Sequence, residues 1–104
     1  MTYKVKIHSR AQKDLVLLER DGKSYSRKAE MILEALSQDP YQKTFDFEVL
    51  SGNAEGLLSM RISIKDRVLY RVLPSEDPNY EGIVAVISMR GHYKLRGILS
   101  TLLL

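Results

Sequence analysis

From Leu57 to Arg90 the chain alternates with period two, and this pattern limits what it can fold into more than any other. Leu58, Met60 and Ile62 share one face of a strand over 57–63, with Ser59, Arg61 and Ser63 on the other. In a second strand over 67–73, Val68, Tyr70 and Val72 oppose Arg67, Leu69 and Arg71. Both apolar sets can face one core only if even positions pair with even ones. The connection must then hold an odd number of residues, most simply Ile64-Lys65-Asp66, because a one-residue slip turns a strand's apolar set to water. That register sets Arg61 opposite Leu69 and Arg67 opposite Ser63. The two arginines become diagonal neighbours about 7–8 Å apart at the backbone. Guanidinium groups so placed can close on one phosphate, and their mutual repulsion points to a missing anion. A third strand, 83–90, is rich in β-branched residues. Assigning Ile83, Ala85, Ile87 and Met89 to the core puts Val84, Val86, Ser88, Arg90 and His92 on the arginine side. Tyr93 then points to the core side unless the strand ends at Gly91.

The first half has a different period. Tyr3, Val5 and Ile7 alternate with Lys4, Lys6 and His8, which predicts a half-buried strand with His8 on its solvent side. Ser9-Arg10-Ala11-Gln12 has the capping-box pattern that opens a helix. Ala11, Leu15 and Leu18 follow at helical spacing, and Asp21-Gly22 is read as the stop, with glycine in the left-handed turn. A second helix runs from about Ser24 along Tyr25, Ala29, Ile32, Leu33 and Leu36, ending before Asp39-Pro40. Phe45, Phe47 and Val49 then alternate with Asp46, Glu48 and Leu50, either as a short strand or as an extended connection. The expected fold is α+β: an N-terminal strand, a two-helix hairpin, then a three- to four-stranded, mainly antiparallel sheet with the helices on one face.

A chain of 104 residues without cysteine forms one domain and has neither disulfides nor thiolate metal sites. Two histidines make a histidine metal site improbable. No apolar run approaches the roughly 20 residues of a membrane helix, and no signal peptide is evident. The cytoplasm is the expected compartment. The net charge of +3 is modest, but Arg61, Arg67, Arg71, Arg90 and Arg96 all fall in the second half, and arginine's planar fork suits phosphate.

Glu48-Val49-Leu50, Gly56-Leu57-Leu58-Ser59-Met60-Arg61-Ile62, Arg67-Val68-Leu69-Tyr70 and Arg90-Gly91-His92-Tyr93, in that order and spacing, resemble the RelE/ParE toxin superfamily, specifically its YoeB/Txe branch. The resemblance covers residues 3–93 and implies the RelE-like microbial RNase fold. It implies a ribosome-dependent mRNA endonuclease, the toxin of a toxin–antitoxin pair, neutralised by a YefM/Axe/Phd-like antitoxin. By that resemblance Glu48 is the general base, Arg61 and Arg67 clamp the phosphate, His92 is the general acid and Tyr93 orients the scissile nucleotide. Arg71 and Arg90 are further candidates for phosphate contact. No metal or other cofactor is expected, and the partners would be the antitoxin, the ribosome and mRNA, with a homodimer left open. These residue types fit cleavage by the ribose 2′-hydroxyl: a base to take its proton, an acid for the departing 5′-oxygen, and cations for the phosphorane.

Two features depart from the family pattern. Ser51 stands where the family usually has a lysine, which moves part of the substrate-binding charge elsewhere, for instance to Arg71. Residues 94–104 form an apolar extension beyond a 1–93 toxin domain, with Leu95, Ile98, Leu99 and Leu102 at helical spacing despite Gly97. A short docked helix, a dimerisation element and a cover over the active face are all open. Two other functions compete. A non-enzymatic, ParE-like inhibitor of DNA gyrase would share the fold without needing the glutamate–arginine–histidine set. An RNA-binding domain without cleavage lacks a row of aromatics on one sheet face.

Overall fold

The structure, a computed structural model, describes residues 2–50 and 56–91. Strand β1 (Thr2–Ile7) leads into helices α1 (Ser9–Asp21) and α2 (Lys23–Gln38), followed by β2 (Glu48–Val49), β3 (Leu57–Arg61), β4 (Arg67–Leu73) and β5 (Tyr80–Ser88). The five strands form one mixed sheet in the order β1-β5-β4-β3-β2. Strand β1 runs parallel to β5, and the other pairings are antiparallel. The expected α+β fold is present, with four strands after the hairpin and β1 added to the far edge. None of the described helices is long and apolar enough to cross a membrane.

Periodicity built the helices as read, and the capping details differ. His8, not Ser9, caps α1: its Nδ1 accepts the Arg10 N–H at 3.2 Å. The Gln12 side chain instead donates to the Ile7 carbonyl. Gly22 has extended backbone rather than a left-handed turn, and its N–H closes α1 on the Leu18 carbonyl at 3.0 Å. Ala11 and Leu18 of α1 and Ala29, Ile32 and Leu36 of α2 are fully buried. They pack on Leu58, Met60, Ile62, Val68, Tyr70, Val84, Val86 and Met89 from one face of the sheet.

In the β3–β4 hairpin the expected parity holds and the expected register does not. Met60 pairs with Val68 and Leu58 with Tyr70, even with even, but Arg61 lies directly opposite Arg67. The connection is longer than three residues because Ile62 is buried and Ser63 and Asp66 fold the turn on themselves. The Ile62 and Ser63 N–H groups both donate to the Asp66 carbonyl, and the Ser63 hydroxyl accepts from the Lys65 and Asp66 N–H groups. Several odd loop lengths satisfy the parity rule, and local turn chemistry chose among them.

Strand β5 corrects the face assignment. Val84 and Val86 are buried in the helix-side core, whereas Ile87 packs on the opposite face. The pairing jumps from Tyr70–Val86 to Leu69–Ser88, so Ile87 is the extra residue of a bulge. The bulge shifts the alternation by one, which is why Met89 also reaches the core.

Candidate active site

The face turned away from the helices carries Glu48, Arg61, Arg67 and Arg71 of the charged groups that the sequence singled out, beside a second apolar cluster of Leu50, Leu57 and Leu69. Three strands build it. Glu48 on β2 pairs with Ser59 on β3, Ser59 pairs with Leu69 on β4, and Arg61 pairs with Arg67. Alternation therefore carries Glu48 onto the same face as both arginines, settling a position that parity within β3 and β4 alone left undecided.

Arg67 is the buried member. Its residue is 4% exposed, its Nε donates to the Ser59 hydroxyl at 3.0 Å and its Nη2 donates to the Asp46 carbonyl. Glu48 lies above it with its side chain 47% exposed, Oε2 standing 3.9 Å from Arg67 Nη2. Arg61 is more open. Its Nε lies 3.0 Å from Asp46 Oδ2, but the N–H is not aimed for a hydrogen bond, so the contact is one of charge with charge. The arginines directly opposite each other thus each have a carboxylate beside them, Asp46 and Glu48.

The stretch before β2 explains the clustering. Phe45 and Asp46 have φ of 52° and 50°, the left-handed region that costs a bulky residue most. The Phe45 ring packs on the helix-side core, and its carbonyl accepts the Arg61 N–H at 2.6 Å. The Asp46 carbonyl accepts from Arg67, so two successive left-handed residues aim consecutive carbonyls at the two arginines. The same turn leads into β2, Glu48–Val49.

The other candidates divide. Arg71 lies on the same face four residues along β4, about 13 Å from Arg67 by strand rise. Its Nε is buried without a hydrogen-bond partner among the described residues. Arg90 donates to Asp21 at 3.0 Å and so ties the end of β5 to α1 instead of joining the arginine pair. Ser51, His92, Tyr93 and the extension 94–104 lie outside the described residues. Reasoning from the sequence missed Asp46 and Ser59, although alternation carried the signal: Asp46 shares parity with Glu48, and Ser59 with Arg61. It also missed Asp66, buried at 2% exposure, whose Oδ1 accepts the Gly91 N–H at 2.7 Å.

No protein-family model matches the sequence. No curated protein matches it either. Solved structures do. A YoeB/ParE toxin from Agrobacterium tumefaciens superposes with a TM-score of 0.75 at 24% identity, covering 86% of this chain and 99% of that one. The YoeB dimer from Staphylococcus aureus gives a TM-score of 0.69 at 22% identity, over 88% of this chain and 98% of that one. The RelBE2 toxin–antitoxin complex from Mycobacterium tuberculosis gives 0.58 at 22%, over 88% and 100%.

Proposed function

We propose that this chain, whose fold is that of the YoeB/ParE toxins, is the toxin of a toxin–antitoxin pair and that it cuts mRNA in the ribosomal A site. The observation that carries this reading is the Glu48–Arg67–Arg61 arrangement: an accessible carboxylate above a buried guanidinium, with a second guanidinium beside it. A toxin that only bound a target would have no need of an accessible carboxylate beside two guanidinium groups on one sheet face.

In this reading Glu48 takes the proton from a ribose 2′-hydroxyl, and the 2′-oxygen attacks the adjacent phosphorus. The bond from phosphorus to the 5′-oxygen breaks, leaving a 2′,3′-cyclic phosphate, and His92 gives the departing oxygen its proton. Arg67 and Arg61 stabilise the charge that grows on the phosphorane oxygens. Arg67 suits this work because Ser59 and the Asp46 carbonyl hold it in place before substrate arrives, so little reorganisation is needed. Tyr93 orients the nucleotide. The YefM found with a YoeB of similar fold, and the dimer of that YoeB, support an antitoxin partner and self-association here.

The test is to map 5′ ends of mRNA in a translating extract. Cuts within A-site codons should fall about 10²- to 10⁴-fold in Glu48→Gln and in His92→Ala, the usual cost of removing a general base or acid. Cleavage unchanged in both variants would overturn the residue assignment. Growth arrest with intact mRNA and damaged DNA would instead favour inhibition of DNA gyrase.

A further inference from the structure

The Asp46 side chain has none of the roles above, yet its carboxylate stands 3.0 Å from the Arg61 guanidinium, where an anionic ligand of that arginine would lie. We infer that Asp46 is a specificity-determining residue: an internal stand-in for phosphate that holds Arg61 in the free protein and yields it to a backbone phosphate of single-stranded RNA. The identity of the ligand rests on the nuclease reading above.

Three observations carry this. First, the contact is built to exchange. The Asp46 side chain is 68% exposed and that of Arg61 35%, and no hydrogen bond locks them together. A phosphate can offer the guanidinium two oxygens at once and so displace a carboxylate that offers one poorly aimed contact. Second, the other arginine is not held this way. Arg67 is fixed by the Ser59 hydroxyl and by the backbone carbonyl of Asp46, so the charge of the Asp46 side chain acts on Arg61 and its backbone on Arg67. Third, Asp46 and Glu48 together balance Arg61 and Arg67. An entering phosphate that takes Arg61 must displace the Asp46 carboxylate to gain that partner. Weak or monovalent anions are disfavoured, and a polyanion that makes further contacts elsewhere is not.

Asparagine is the substitution of choice, being close in shape and at home in the left-handed conformation that Asp46 adopts. Glycine is a second variant that also accepts that backbone. The probe is a short single-stranded RNA with every ribose 2′-O-methylated, so that it binds without being cut. Asp46→Asn should bind it roughly two- to five-fold tighter at low salt, the span of an exposed ion pair. The gain should shrink as salt rises and vanish in an Arg61→Ala background. Unchanged or weaker binding in both the Asn and Gly variants would overturn the inference, as would the same gain without Arg61. Because the probe cannot be cleaved, the two readings fail separately. Tighter binding with no mRNA cleavage by the parent protein would remove the nuclease and keep the stand-in. Cleavage with unchanged Asp46→Asn binding would do the reverse.

Discussion

Arg67 is the residue on which the site's geometry turns, and its role depends on shape as much as on charge. Its Nε and Nη2 reach two acceptors at once, Ser59 Oγ and the Asp46 carbonyl, from a position 4% exposed. A lysine carries the charge but has one nitrogen on a flexible stem. Arg67→Lys should therefore lose at least one buried, charge-assisted hydrogen bond and about 1–3 kcal/mol of stability, read from urea unfolding. The proposed cleavage should fall with it, because a looser cation no longer meets Glu48 in a fixed orientation. Tyr70 is another buried polar anchor: its hydroxyl donates to the Pro40 carbonyl and ties β4 to the loop after α2. Burial, and then the neighbouring Asp39 charge and Tyr41, push the Tyr70 phenol well above its usual value of about 10. The unfolded chain ionises first, so this contribution is whole below about pH 10 and is lost as pH rises from there toward the folded-state value. Tyr70→Phe should cost about 1–2 kcal/mol near neutrality, since the Pro40 carbonyl loses its partner. Denaturation curves from pH 8 to 11 should show that deficit shrinking above pH 10.

At the scale of elements, the end of β5 is held by three carboxylates. Asp14 Oδ2 accepts the Met89 N–H at 3.0 Å, Asp21 pairs with Arg90, and Asp66 accepts the Gly91 N–H. Two come from α1 and one from the hairpin turn beside Arg67, so the strand's exit is fixed to both layers. Asp66→Ala should speed amide exchange at Gly91 and leave Met89 protected, while Asp14→Ala should do the opposite; NMR hydrogen exchange separates them. None of these contacts was legible in the sequence, because each joins residues far apart in the chain through a side chain common on surfaces. Elements with one buried face were legible: the α1 and α2 stripes and the parity of β3 against β4 follow from burial alone. What burial does not distinguish was lost. Ile87 and Val86 are equally apolar, so the bulge that changes which of them faces the core leaves no mark in the pattern. The hairpin register escaped for the same reason, since a three-residue and a five-residue loop give the same parity. Glu48 could be placed only once β2 was paired, and a two-residue strand is too short to announce itself.

The whole molecule depends on joining its two ends. Strand β1 pairs along β5, Lys4 beside Ile83 and Ile7 beside Val86, so the sheet is complete only after the helices and the β2–β4 meander are in place. Such non-local parallel pairing makes the β1–β5 seam the costly contact in loop-closure entropy. Gly82 lies at that seam, opposite Tyr3. A Cβ there would sit 3.0 Å from the Leu73 carbonyl and 3.2 Å from the Tyr3 ring. The carbonyl is backbone of β4 and has little freedom to move, so the strain passes to both neighbours of β5 at once. Gly82→Ala should destabilise by about 1–3 kcal/mol, the range for forcing an extra methyl into a filled space. In a domain of this size that lowers Tm by roughly 4–8 °C for each kcal/mol. The candidate site lies across β4 and β3 from this seam, which gives the prediction a second arm. If the sheet yields as one body, the cleavage proposed for this site should fall in step with the folded fraction as temperature rises. If β1 peels away alone, thermal melts should show two transitions, with cleavage surviving the first. A single shifted transition is expected, because Val84 and Val86 of β5 share one core with Ala29, Ile32 and Leu36 of α2, and β1 cannot leave without uncovering it.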